Sequence, residues 1–106
     1  MTYRVETYEK TFAAHEPFIA QHRSGGLGIL PAAVQLEMAL LGVAQRRAFH
    51  PLELVDVAFV RPFTVADGEQ VTGRLDVTLG ERARFELGAV TPEGHRTVST
   101  GSGGPI

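Results

Sequence analysis

His22, Glu37 and the segment Gly25-Gly26-Leu27-Gly28 are the residues whose types and placement could move protons. Histidine is the side chain best poised to take or give a proton near neutral pH. His22 stands just before the glycines, which lead through Ile29-Leu30 to Pro31 and an apolar, helix-forming stretch. A helix start offers unpaired backbone N–H groups and the positive end of the dipole, a setting suited to a developing oxyanion. The segment therefore combines a base with oxyanion donors at the helix entrance. As bare spacing the pattern is unspecific, since any histidine beside a glycine turn has it.

Glu37 is the sharper anomaly. Between Ile29 and Ala44 only Gln35 and Glu37 are strongly polar. Positions two apart on a helix differ in direction by about 200°, so one can face water while the other faces the interior or a partner. A carboxylate in apolar surroundings is costly unless paired, and its pKa tends to rise, a useful property in a general acid. The plainer role is a hydrogen bond to loop N–H groups or a place at an exposed edge. Other candidates are weaker. His15 and His22 share a helical spacing, but Pro17 between them and the lack of further ligands speak against a metal. Asp56 interrupts an apolar run and pairs with Arg61 or faces solvent. Arg46, Arg47 and His50 form a basic cluster that reads as a solvated helix end or as a contact for an acidic surface or a phosphate. His95 reads as a surface turn residue.

The elements that must position these groups follow from periodicity. Residues 2–12 alternate loosely and carry β-formers, an edge-type strand. Residues 13–22, with Pro17, read as a short helical turn or loop. Three glycines in four residues at 25–28 turn the chain sharply or let it approach something closely. Pro31 suits the first turn of a helix that runs from Ala32 to Phe49 and is stopped by Pro51. Period two then takes over. Leu54 to Val65 reads as one apolar strand, with Pro62 marking a bulge or edge, and Ala66-Asp67-Gly68-Glu69 as a hairpin connection. Residues 71–79 and 83–89 alternate cleanly, with Val71, Gly73, Leu75, Val77 and Leu79 on one face of the first. A short strand around Arg96–Thr100 follows the turn at Pro92-Glu93-Gly94. A helix apolar nearly all round must be enclosed. A curved antiparallel sheet wrapped around one long central helix does this, an α+β fold of the hot-dog kind.

The stretch His15-Glu16-Pro17-Phe18-Ile19-Ala20-Gln21-His22, continued to Pro31, resembles the N-terminal half of polyketide synthase dehydratase domains. His22, Gly26 and Pro31 match that family's HxxxGxxxxP motif. Leu36-Glu37-Met38-Ala39 resembles its central helix, and Leu52-Glu53-Leu54-Val55 through Phe59-Val60-Arg61-Pro62-Phe63 its next strand. The resemblance covers roughly residues 13–90, and Ala32 departs from it, standing where a glycine usually follows the proline. It implies dehydration of a β-hydroxyacyl group held as a thioester on the phosphopantetheine arm of an acyl carrier protein, giving an α,β-unsaturated thioester in polyketide or fatty-acid-like biosynthesis. His22 would remove the α-proton, and backbone N–H groups at Gly26 and after Pro31 would steady the enolate-like oxygen. Only protons move, so the implied reaction calls for no cofactor or metal. In the polyketide enzymes the acid is an aspartate of a second, C-terminal hot-dog repeat, which this chain is expected to lack. Single-hot-dog dehydratases of bacterial fatty-acid synthesis are similar in the loop-proline-helix region and carry an acid six positions after the proline. Here that position is Glu37, which in a homodimer would serve His22 of the partner subunit. The other solution is a heterodimer with a hot-dog chain that brings its own aspartate. The homodimer is favoured because an enclosed helix leaves Glu37 otherwise hard to justify.

Composition bounds the alternatives. One hundred and six residues, 43% hydrophobic and 21% charged, make one soluble globular domain, expected as a hot-dog over 1–100 with a flexible glycine-rich tail over 101–106. A net charge of −2 supplies no basic field for nucleic acid. The absence of cysteine excludes disulfides and thiolate chemistry. The apolar run at 29–44 is too short and interrupted to span a membrane, and no leader pattern is evident, so the expected location is cytoplasmic. Two rival functions stand beside dehydration. One is a non-catalytic or half-site hot-dog subunit, and the other is a hot-dog acyl thioesterase, against which the His22–Pro31 motif speaks.

Overall fold

The computed structural model describes residues 4–44 and 51–106. In chain order the elements are β1 (Arg4–Ala13), α1 (Pro17–Ala20), β2 (Arg23–Ser24), β3 (Leu27–Ile29), α2 (Ala32–Ala44), β4 (Leu52–Phe59), β5 (Thr64–Ala66), β6 (Gln70–Leu79), β7 (Ala83–Thr91) and β8 (Gly94–Pro105). Five strands form one antiparallel sheet in the order β1-β6-β7-β8-β4. The short strands β2, β3 and β5 form a second. The larger sheet curves around α2, which packs on β4, β6, β7 and β8. This is the expected hot-dog arrangement, with β1 at one edge.

The clean alternation of β6 and β7 sends Leu75, Val77, Ala83, Phe85 and Leu87 to the concave face, where they enclose Ala39 and Val43 of α2. A second cluster under the first strands joins Phe12, Ile19, Leu30, Phe63, Val65 and Val98. Phe12 meets Phe63 edge-on at 5.6 Å between ring centroids, a favoured aromatic geometry. Met38 packs against both clusters, so the helix bridges them.

Several expectations are corrected. The helix is described to Ala44. The expected continuation to Phe49, and the cluster of Arg46, Arg47 and His50, lie outside the described residues. Nor is α2 enclosed on every side: Ala33, Glu37, Leu40 and Leu41 are exposed, Leu41 at 57%. The run from Leu54 to Val65 is not one strand. β4 leaves the large sheet after Phe59, and the chain crosses at Pro62 to pair β5 with β3. Consequently Ala66–Glu69 is a tight turn, closed by the Glu69 N–H to the Ala66 carbonyl at 3.0 Å, that joins two sheets and not a hairpin.

The expected flexible tail is also a correction. Residues 101–105 are the last part of β8, held between β4 and β7. Its glycines make room for neighbours: a Cβ at Gly101 would lie 2.5 Å from Phe85 Cε2, and one at Gly103 would lie 2.9 Å from Leu54 Cδ2. Composition read them as linker because their reason for being glycine lies on other strands. His95 likewise is no free surface residue. It is half-buried in β8, its ring pressed over Gly88, with Nδ1 3.5 Å from Glu86 Oε1. Asp56 does not need Arg61 to explain it: exposed, with φ 53°, it marks the irregularity where the β4–β8 register shifts between Val55 and Ala58.

Candidate active site

The loop that carries His22 is held from both ends. The Glu16 carboxylate accepts the Ala13 N–H at 2.7 Å, and Pro17 opens α1. Within this single turn Ile19 is fully buried and Phe18 packs edge-on against Phe12. The His22 N–H donates to the Ile19 carbonyl at 3.0 Å, while the His22 carbonyl accepts the Ile29 N–H at 2.7 Å. Burial of Ile19 thus fixes the backbone on which an exposed imidazole stands.

The imidazole is oriented as well. Nδ1 lies 2.8 Å from the Phe18 carbonyl oxygen. A carbonyl can only accept, so Nδ1 must carry the hydrogen, which leaves the lone pair of neutral histidine on Nε2. Such second contacts set the tautomer and aim of a histidine that acts through its other nitrogen.

The glycines divide their work. Arg23 pairs with Gly28 and Ser24 with Leu27, so Gly25 and Gly26 form a two-residue turn. Both have positive φ, 56° and 81°, as a type I′ hairpin requires, and neither is crowded. Gly28 serves close approach, since a Cβ there would meet Ile19 Cγ2 at 2.5 Å and the Val65 carbonyl at 3.2 Å. Arg23 reaches across to Asp67 at 2.7 Å, tying the hairpin to the turn after β5. Sequence reasoning missed this pair, because nothing local brings residues 23 and 67 together.

Pro31 immediately precedes α2, and its carbonyl accepts the N–H groups of Val34 and Gln35 at 3.0 and 3.1 Å. The N–H groups of Ala32 and Ala33 come before any intrahelical acceptor and stand at the positive end of the helix dipole. Gly26 and Pro31 therefore flank β3, one at the hairpin turn and the other at the helix entrance.

The two polar residues of α2 face opposite ways. Gln35 is the one inside, 4% exposed, its Nε2 donating to the Leu30 carbonyl at 3.1 Å. Glu37 is on the exposed side, among Ala33, Leu40 and Leu41. An acid buried within its own subunit is thus not what α2 presents. His15 is exposed, and no group of three His, Asp or Glu side chains among the described residues is spaced to hold a metal. No helix of the described residues is long and apolar enough to cross a membrane.

A surface recess of about 590 Å³ lies elsewhere, on the outer face of the large sheet beside Asp56, Asp76, Arg84 and Glu86. Asp76 there accepts from Thr7 at 2.7 Å and from Arg74 at 3.2 Å. Burial raises the pKa of this carboxyl, but the Thr7 and Arg74 contacts outweigh it and hold Asp76 below the usual carboxylate range. The same hydrogen bond to Asp76 holds Arg74 above its ordinary value. This network braces β1 against β6 and contains no element of the His22 loop.

The sequence profile of the polyketide synthase dehydratase domain matches residues 3–91. The chain belongs to this family. Solved dehydratases share its fold. The dehydratase domain from the CurF module of the curacin polyketide synthase superposes with a TM-score of 0.87 at 16% identity, over 96% of this chain and 38% of that one. A trans-AT polyketide synthase dehydratase domain from Brevibacillus brevis gives 0.83 at 22% identity, over 94% and 40%. The CurK dehydratase, described as inactive when a histidine is replaced by phenylalanine, gives 0.83 at 15% identity, over 93% and 37%. A second CurK structure, with aspartate replaced by asparagine, is also described as inactive. The chain spans about two-fifths of the length of these dehydratase structures. No curated protein matches it.

Proposed function

We propose that this chain is the histidine half of a two-hot-dog dehydratase acting on β-hydroxyacyl thioesters carried by an acyl carrier protein. The observation that carries the reading is the Phe18–His22 contact, which places the basic lone pair of an exposed imidazole on Nε2. Nε2 takes the α-proton of the bound thioester. The charge that develops on the thioester oxygen is met by backbone N–H groups at the α2 entrance and the Gly26 turn. An acid on a second hot-dog unit protonates the β-hydroxyl, the C–O bond breaks, water departs and the α,β double bond forms.

The second unit is a second copy of this chain. Glu37 lies on an exposed, largely apolar stripe of α2 with Leu40 and Leu41, the kind of face a partner covers, and from there it would serve His22 of the partner subunit. One observation favours a different partner: the CurK dehydratase is inactive without one of its aspartates, and the chain spans only part of that protein. In that reading another hot-dog unit brings an aspartate. Mass spectrometry of a β-hydroxyacyl carrier protein incubated with the purified chain tests both. Loss of one water with the chain alone supports the homodimer, and loss only after a second hot-dog unit is added supports the heterodimer. Release of free acid would identify a thioesterase instead.

A further inference from the structure

Arg4, Arg23, Arg74 and Arg82 each stand within 3.4 Å of a carboxylate. Arg61 and Arg96 do not. Both are exposed, and their guanidinium groups meet no carboxylate or hydrogen-bond acceptor among the described residues. They line one recess of about 300 Å³, together with Thr64, whose hydroxyl is also unpaired among the described residues. No described carboxylate lines it, and its deeper walls are apolar, with Phe63 and Val98 buried behind it. Arg84 lacks an ion pair too, but it opens on the recess of Asp56, Asp76 and Glu86, where carboxylates stand beside it.

The fold brings the two arginines together from separate elements. Arg96 pairs with Ala89 across β7 and β8, and cross-strand partners share a face of the sheet. Ala89 packs on the cluster of Phe12 and Phe63, so Arg96 leaves β8 on the core-facing side and reaches solvent at its rim. Arg61 comes from the crossing between β4 and β5. The N–H groups of Val60 and Arg61 donate to the Val98 carbonyl at 2.8 and 3.4 Å, which lays this segment against β8, two residues from Arg96. Neighbouring cations without a counter-ion, set against apolar walls, focus their potential on an anion. The guanidinium fork matches the oxygens of a phosphate.

We infer that Arg61 and Arg96 bind the phosphate of the pantetheine arm on which the acyl chain is carried. Arg61 and Pro62 also wall a second crevice, of about 360 Å³, that reaches Ala32 at the α2 entrance. Thr64 pairs with Ile29, whose N–H donates to the His22 carbonyl at 2.7 Å. Thr64 thus lies two strand spacings, roughly 10 Å, from the His22 backbone. About thirteen bonds separate phosphorus from sulfur in the arm, and at the rise of an extended backbone they reach roughly 15 Å. The arm therefore spans from the arginines through the crevice to His22, with the thioester oxygen arriving at the α2 entrance. Arg61 and Arg96 are positioning residues, anchoring the arm without touching the reacting carbons. The inference rests on the dehydratase reading for the identity of the phosphate's carrier.

The test is binding without turnover. Hexanoyl-4′-phosphopantetheine and hexanoyl-pantetheine differ only in the phosphate, and neither has a β-hydroxyl to lose. Titration calorimetry should show the phosphorylated thioester binding about tenfold tighter. Arg61→Gln and Arg96→Gln should each remove most of that preference, while Arg84→Gln keeps it. Equal affinities of the two thioesters, no binding of either, a preference that survives the double substitution, or its loss in Arg84→Gln as well would overturn the inference. Inorganic phosphate separates the arm from a free anion. Binding about tenfold weaker than the phosphorylated thioester supports the arm, and binding equally tight overturns it. Water loss from a β-hydroxyacyl carrier protein is measured separately. Phosphate-dependent binding without water loss sinks the dehydratase reading and leaves the arginine site standing. Water loss without a phosphate preference overturns the arginine site alone.

Discussion

His22 Nδ1 lies 2.8 Å from the carbonyl oxygen of Phe18, one helical turn before it. The contact joins a residue packed on Phe12 to an exposed imidazole, so the rigid part of the fold dictates which ring nitrogen is free. Nitrogen-detected NMR of the neutral protein should report the Nδ1–H tautomer at His22. His22→Gln should lower water loss from a β-hydroxyacyl carrier protein by about 100-fold or more. Because the side chain is exposed, the unfolding free energy should change by less than about 0.5 kcal/mol.

Glu37 decides between the two assemblies. If it serves His22 of the partner subunit, Glu37→Gln should reduce the rate by about 100-fold. Mixing Glu37→Gln with His22→Ala protein should then restore part of the activity, because one site of the mixed dimer has both groups. An unchanged Glu37→Gln rate assigns the acid to a different chain.

The two kinds of glycine in the His22 loop should respond differently. Gly28→Ala pushes a methyl into Ile19 and the Val65 carbonyl, and overpacking of this sort costs about 1–3 kcal/mol. Gly26→Ala meets open space but keeps φ at 81°, for a cost of about 1 kcal/mol. Urea denaturation should rank Gly28→Ala as the more damaging of the two.

Acid stability should depend on Asp76. Its native carboxyl titrates below the usual range, after burial is outweighed by Thr7 and Arg74. A depressed native pKa contributes stability that is complete above the ordinary carboxylate value and is lost as the pH falls through it toward the native one. Asp76→Asn should therefore lower stability by about 1 kcal/mol at neutral pH, and the two proteins should converge in strong acid. Parallel denaturation curves at every pH would refute the assignment.

Local periodicity alone determined the element types: the alternation through 71–79 and 83–89, the helix after Pro31, and the His22-Gly26-Pro31 spacing. These signals survive in one dimension because a strand or helix displays its buried face at a fixed period. Partners distant in the chain decided the rest. The tail became β8 because Gly101 and Gly103 lie against Phe85 and Leu54. The strand after α2 was divided because β5 pairs with β3, far back in the chain. The side on which each polar residue of α2 falls was equally out of reach. Spacing placed Gln35 and Glu37 on opposite sides, but only the position of the sheet sent Gln35 inward and left Glu37 exposed. A helix carries its periodicity in its own residues, while the direction of the core belongs to the surfaces that close around it.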